Sequence, residues 1–352
     1  MFRFSAWKWM PRFVRIICLF CVFLFPLFCQ NTEKNQETER DFVFISLATA
    51  GYDILDEARA KIGIFPRIPK GAENDTPSQI QLGSRIFQDK TLSLNSAQSC
   101  STCHLLSGRN IGTDGQSVSR GTFGQLGRRN VLSILNVGHL ETLFWDGRMD
   151  SLESQALLPF TDANEMALPS QTELLNRFNQ GSAYSSEFTI AFPENPNINI
   201  SNIGRAIAAF ERSLNSRSRF DDFMDGNVFA LSSEEKIGLK LFLNLNCISC
   251  HSGPMLGGKK FAKLDSVYSY NATDLGRFEV TGNSNDRFFF RTPSLRNVAS
   301  TQPYFHDGSV SSLSEAVRRM NHYEAPRPIS EQEVQTLVIF LRSLSDSTRP
   351  SP

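Results

Sequence analysis

The run Cys100-Ser-Thr-Cys103-His104 returns as Cys247-Ile-Ser-Cys250-His251, and this doubled CxxCH pattern limits what the chain can be more than any other feature. In such a run two thiols add to the vinyl groups of a haem and the adjacent imidazole becomes an axial iron ligand. The spacing keeps all three on one helical turn. A lone CxxC could serve a zinc site or a redox dithiol, but neither copy has a further Cys or His nearby to complete a zinc tetrahedron. The chain is therefore read as a redox protein with two covalently attached haems c. Cys100 and Cys103 hold one and Cys247 and Cys250 the other, with His104 and His251 as the first ligand of each iron.

Arg3, Lys8, Arg12 and Arg15 precede an apolar run from Ile16 to Phe28, which Cys29 and the polar stretch from Gln30 to Asp41 bring to an abrupt end. A basic start, an apolar segment short for a membrane span and a polar exit predict a secretory signal over residues 1–29. Export to the periplasm follows, on the side of the membrane where c-type haems are attached. Of the seven cysteines, four lie in the haem motifs, and Cys18, Cys21 and Cys29 lie in or at the end of the signal. None is left for a structural disulfide in the exported domains. Cys29 stands where a lipoprotein would be lipidated, although Phe28 is bulkier than the small residue expected before such a cysteine. A cleaved signal or an uncleaved anchor are the alternatives. Removing the four basic signal residues from the total of 36 leaves 32 against 36 acidic residues. No basic stripe or aromatic-interleaved cluster points to nucleic acid, so the expected partner is a soluble redox carrier.

Residues 30–75 read as a tether and N-terminal extension, with Pro66, Pro69, Gly71 and Pro77 punctuating the approach to the first core helix. Thr76-Pro77-Ser78-Gln79 offers an N-cap, a proline at the first helical position and a Gln to close a capping box, predicting a helix to about Gln88. Ser232-Ser233-Glu234-Glu235 repeats that signal ahead of Lys236–Asn244. Leu82-Gly83-x-x-Ile86-Phe87 is echoed by Ile237-Gly238-x-x-Leu241-Phe242. Phe144-Trp145-Asp146-Gly147-x-x-x-Ser151-Leu152 is echoed by Phe305-His306-Asp307-Gly308-x-x-x-Ser312-Leu313. The chain is thus a duplicated unit with one haem per copy. Trp145 against His306 marks a divergence that suits two haems with different tasks. Strand signals are few, with small hairpins expected from Lys259–Tyr270 and Arg277–Val280. The predicted fold is mainly α, with two cytochrome domains over 76–228 and 229–346, joined near 215–230, and haems facing a shared interface.

From Leu82 to Met320 the chain resembles the bacterial di-haem cytochrome c peroxidases, the superfamily that also contains MauG. The matching pieces are LGSRIFQDKTLS before the first CxxCH, GRRN at 127–130, FWDGR at 144–148, NEM at 164–166, FRTPSLRNV at 290–298 and PYFHDG at 303–308. The resemblance implies two pseudo-twofold-related class I cytochrome c-like domains, usually paired as a homodimer. It further implies that hydrogen peroxide is reduced to water at the N-terminal haem, with electrons from a small cytochrome c or cupredoxin entering at the C-terminal haem.

Site residues follow from the same resemblance. Met320 falls where the peroxidases place the second axial ligand of the C-terminal haem, and thioether ligation favours Fe(II) and raises the potential. From its residues alone it reads as a core methionine on an amphipathic helix. MauG-type members carry Tyr there. With His322 and Tyr323 just beyond Met320, a MauG-like oxidase that modifies a protein or peptide partner is the alternative. Many peroxidases hold a His that caps the first iron between the first CxxCH and GRRN. Here no His lies between Leu105 and Arg129, and Thr122 stands at the matching place. The first haem is therefore expected to be open in its resting diferric state. Glu165 matches the distal acid/base, Gln155 a second distal polar residue and Pro159 a pocket-shaping one. Trp145 matches the tryptophan between the haems. His306 is retained near the second haem without being an iron ligand, and His139, beyond GRRN, reads as a surface or packing residue. Asn130, Thr301 and Pro303 match an interhaem calcium site, which offers the oxygens a hard cation prefers.

Overall fold

A computed structural model describes residues 52–346 apart from 109, 181–183, 264–272 and 326; the predicted signal, Cys29 and most of the tether lie outside the described residues. The described residues belong to one compact unit. Helices of two turns or more are α1 (52–61), α2 (Pro77–Gln88), α3 (Gln171–Asn179), α4 (Ser185–Ala191), α5 (Ile200–Ser213), α6 (Arg219–Asp225), α7 (Ser233–Asn244), α8 (Leu313–Glu324) and α9 (Glu331–Arg342). The named strands among the described residues are β1 (Phe261–Lys263) and β2 (Phe289–Arg291), paired antiparallel with Phe261 opposite Arg291. The fold is mainly helical.

Both start signals work as capping boxes. Gln79 N donates to Thr76 Oγ1 at 3.2 Å while Thr76 N donates to Gln79 Oε1 at 3.1 Å, and Ser232 and Glu235 exchange the same pair at the start of α7. Each helix then crosses a partner at close range through one glycine. A Cβ on Gly83 would stand 1.9 Å from Ala206 O on α5, and one on Gly238 would stand 2.4 Å from Thr336 O on α9. Only bare backbone fits there. Beside these crossings the equivalent pairs Phe87–Phe210 and Phe242–Phe340 pack with centroids 5.2 and 5.4 Å apart.

Two cores result. The first is built from α2 to α5 around Phe87, Phe160, Phe178 and Phe188; the second from α6 to α9 around Phe220, Phe223, Phe242 and Phe340. Each buried Phe contributes roughly 1.5–3 kcal/mol. Helix α1 belongs to the second core, where Leu55, Ala58 and Ile62 are buried, although the first core follows it in sequence. The joining segment near 215–230 is likewise structural, since α6 buries Phe220, Phe223 and Met224. Asp221 on α6 forms a buried bidentate pair with Arg296 at 2.7 and 2.8 Å.

The pseudo-twofold relation is visible at the level of single bonds. Asn136 and Asn297 both adopt left-handed backbone, at φ +62° and +59°, and both Nδ2 atoms donate to Ser216 Oγ at 3.0 Å. Phe144 and Phe305, at φ +66° and +69°, turn the backbone so that Trp145 and His306 meet edge to face. The halves also exchange backbone bonds. Asn130 N donates to His306 O at 2.7 Å, and Arg291 N donates to Trp145 O at 2.6 Å.

The strand prediction needs correction. β1 pairs with β2 rather than within a local hairpin, and Phe278–Thr281 is a helical turn. The aromatic run Phe288–Phe290 supplies the strand partner, while Arg277 stacks over Phe261 at 4.0 Å and bonds Phe289 O through its backbone N at 2.7 Å before the chain turns into the short helix. The expected hairpin beyond Lys263, to Tyr270, lies outside the described residues.

Candidate active site

Cys100 and Cys103 occupy a single helical turn whose entry is capped by Ser99 N donating to Thr102 Oγ1 at 3.0 Å. His104 closes the turn, and its Nδ1 lies 3.0 Å from Gly112 O. Such a bond puts the proton on Nδ1 and leaves the Nε2 lone pair for a metal. His251 repeats this with Leu256 O at 3.2 Å. Burial lowers the pKa of both imidazoles, that of His251 to about 4, so both are neutral and ready to ligate. All four motif cysteines are free thiols. Among the described residues no three His, Cys, Asp or Glu side chains group as a zinc ion would need. Unpaired thiols next to oriented imidazoles fit covalent haem at both motifs.

His104 opens onto a cavity of about 470 Å³ that is shared by Trp145, Gln155, Pro159 and Glu165. His104 comes from the first haem motif and the other four from the segment 145–165, which folds back over it. Gln155 ends the short helix Leu152–Gln155, and Pro159 lies in the next, Leu158–Thr161. Glu165 sits on the tight turn beyond it, where Glu165 N donates to Asp162 O at 3.0 Å and Met166 N to Pro159 O at 3.1 Å. Met166 is buried and pins the turn while Glu165 faces the cavity. The Glu165 residue is exposed to the open cavity, yet the protein atoms crowded around its carboxyl, reinforced by the Asp162 charge and partly opposed by Arg148, push that carboxyl up to about 7.

Thr122 is stitched to this same turn. Its backbone N donates to Glu165 O at 2.8 Å, its hydroxyl bonds Asn95 Oδ1, and Asn95 Nδ2 donates to its carbonyl at 2.6 Å. Trp145 closes the cavity toward the second half. Its Nε1 donates to Asn130 O at 2.8 Å, and its ring meets that of His306 at 6.4 Å, which in turn stacks on Phe290 at 4.1 Å.

Met320 is not in this cavity. It lies on α8, one turn beyond Ala316 and Val317, which pack on the second core together with Cys247. Tyr323 meets the ring of His322 at 5.0 Å. His139 packs against Phe65 at 4.4 Å with its Nε2 3.1 Å from Asn215 Oδ1. Of the calcium candidates, Asn130 lines the cavity and holds the His306 carbonyl, while Thr301 and Pro303 precede His306 on the same loop. Asn130 donates through Nδ2 to Gln116 O and Ser117 O, which orients Oδ1 as its acceptor oxygen.

Two further residues in the cavity wall were not anticipated. Glu211 on α5 is 6 % exposed, its Oε2 has no partner, and burial pushes its pKa to about 8. Its repeat equivalent is Leu341, and the signal was present in sequence: Phe210-Glu211-Arg212-Ser213-Leu214 against Phe340-Leu341-Arg342-Ser343-Leu344. Arg291 on β2 reaches the cavity from the other half.

Comparison with known proteins agrees with this geometry. Residues 77–228 match the family model described as di-haem cytochrome c peroxidase, and residues 236–345 match cytochrome c. The chain is 35% identical over 280 residues to cytochrome c551 peroxidase of Nitrosomonas europaea, covering 78% of this chain and 82% of that one. It is 34% identical over 289 residues to cytochrome c peroxidase Ccp of Escherichia coli, covering 80% of this chain but only 61% of that relative's length. The solved structure of a MauG-like protein associated with microbial copper homeostasis matches with a TM-score of 0.70 at 32% identity, over 80% of this chain and 95% of that one. Paired CxxCH turns on two equivalent helical halves, with this degree of identity along most of the chain, make the protein a member of the di-haem cytochrome c peroxidase and MauG superfamily.

Proposed function

We propose that the protein reduces hydrogen peroxide to water, drawing two electrons one at a time from a small cytochrome c or cupredoxin. The observation that carries this reading is the Glu165 carboxyl, raised to about 7 in the cavity beside His104. Haem, when bound through Cys100, Cys103 and His104, supplies the iron at which peroxide and electrons meet. The chain's residues handle the proton. Glu165 accepts it from the peroxide oxygen nearer the iron and returns it to the far oxygen, which leaves as water. Gln155 orients the peroxide and Pro159 shapes the wall behind it. Thr122, held by Asn95 and the Glu165 turn, stands where many peroxidases carry a capping His and offers no such ligand, so the first haem would need no prior reduction.

On the same reading Met320 and His251 would together hold the second iron, and Trp145 would lie on the route of electrons between the two haem sites. Asn130, Thr301 and Pro303 hold a calcium ion between the halves. Along the sequence the haem domains are assigned to 76–228 and 229–346, with α6 of the joining segment packing into the second core; the protein is exported to the periplasm with Cys29 as a lipid-anchor candidate, and two copies form a homodimer. Among the described residues no helix is long and apolar enough to cross a membrane.

The test is oxidation of a reduced cytochrome c on adding peroxide, comparing fully ferric protein with protein whose second haem is reduced beforehand. Equal immediate rates support an open first site. A lag abolished by pre-reduction overturns the open-site reading, and no turnover in either state overturns the peroxidase reading. The last result would favour a MauG-like oxidase of a protein or peptide partner, with Tyr323 in place of Met320 at the second iron.

A further inference from the structure

Arg291 belongs to the second half, on β2 beside the second haem motif's β1, yet its side chain lines the cavity of the first. It is 2 % exposed. Its backbone N holds Trp145 O at 2.6 Å and its Nε holds Phe144 O at 2.9 Å, so the guanidinium is fixed in place. Nη1 is buried and has no partner. Asp146, the acid whose charge acts on Arg291, already accepts from Arg129 at 2.5 Å and from Arg148 at 2.9 and 3.0 Å. Burial lowers the Arg291 pKa to about 10 despite Asp146, and the group still carries its charge at neutral pH. A rigid, buried cation with one free donor demands an anion, because an unpaired buried charge is costly. A haem carries two propionates, and Arg is the residue whose planar fork suits a carboxylate. The repeat makes the charge one-sided. Asn130 and Arg291 each lie six residues before their left-handed asparagine, and the position is neutral in one copy and cationic in the other.

We propose that Arg291 anchors a propionate of the first haem through Nη1, so that a cation supplied by the second half completes and electrostatically tunes the first half's redox site. This rests on the reading of two covalent haems. A positive charge beside the haem favours the reduced iron and keeps the propionate ionised to lower pH. Arg291 also holds the Trp145 carbonyl through its backbone N and the Phe144 carbonyl through Nε, so the same residue ties the first haem to the interface between the halves.

The experiment is spectroelectrochemical titration of both haems in the full-length holoprotein from pH 5 to 9, with resonance Raman of the propionate bending modes, for wild type, R291Q and R291K. R291Q is expected to lower the midpoint of the first haem alone. Its proton-linked inflection should move up by about one pH unit or more. R291K should keep the midpoint near wild type while still shifting the propionate mode, since the ammonium retains the charge but not the fork. A first-haem midpoint and propionate mode that stay at wild-type values, or equal shifts of both haems, overturn the proposal. Should R291Q fail to incorporate haem, the propionate mode of R291K decides alone. A wild-type protein that carries no covalent haem would instead defeat the underlying haem reading.

Discussion

Glu165 and Glu211 are both carboxyls in the wall of one cavity; desolvation raises both, to about 7 for Glu165, which is exposed to the open cavity, and to about 8 for the buried Glu211. Only Glu165 sits on a turn beyond the distal residues Gln155 and Pro159, and its raised pKa gives it both protonation states near neutrality. As a base it works in its ionised form, so kcat/KM for peroxide should rise with pH through about 7 and level off above. E165Q should lower turnover by about 10²-fold and abolish that inflection while leaving both haem spectra intact, as stopped-flow and absorption measurements would show. An unchanged rate would remove Glu165 from the mechanism. The carboxyl and the need for its raised pKa were legible from the match to the NEM motif; the residues that crowd it were not, because the cavity wall assembles only on folding. Glu211 was legible in principle, as the one polar residue in FERSL where the repeat has FLRSL, but nothing in sequence said that this face lined a cavity.

At the scale of elements, the two helix crossings are set by single glycines, Gly83 and Gly238, which the sequence marked as equivalent in the repeat without showing that they cross a partner. G83A would bring Cβ to 1.9 Å from Ala206 O and force α2 off α5, costing about 1–3 kcal/mol. Thermal unfolding of the holoprotein should show a lower midpoint, and an unchanged one would mean the crossing is not tight. The Asp221–Arg296 pair fastens α6 to the second half. Burial alone would raise the Asp221 carboxyl, but the Arg296 guanidinium and the Ser218 N–H outweigh it and hold it below its ordinary value of 3.8. Its stabilising effect is therefore complete above about pH 4 and is lost as pH falls further. D221N should cost about 3–5 kcal/mol at neutral pH, because it leaves Arg296 buried without its partner. The deficit should shrink on acidification, which chemical denaturation at pH 7 and pH 3 would test. No sequence pattern marked this pair, since Asp221 and Arg296 meet only when the joining segment folds onto the far half.

Across the whole molecule, each half completes the other. Asn130 and Arg291 donate across the interface to His306 and Trp145, and α1, read from sequence as part of an extension before the first domain, fills the core of the second. Deleting residues 52–62 should therefore destabilise the second haem domain first. Its absorption change should melt at a lower temperature than that of the first haem, and equal loss at both would refute the assignment of α1 to the second core. The sequence by itself determined the haem count, the mainly helical class, the duplication and the helix starts, because CxxCH turns and capping boxes are local chemistry, repeated within one chain. Only the tertiary structure decided which half each segment joins, which carboxyl is lifted toward neutrality and which arginine crosses into the other site. Those outcomes depend on packing and on the removal of water by distant residues, and neither quantity is carried by any short stretch of chain.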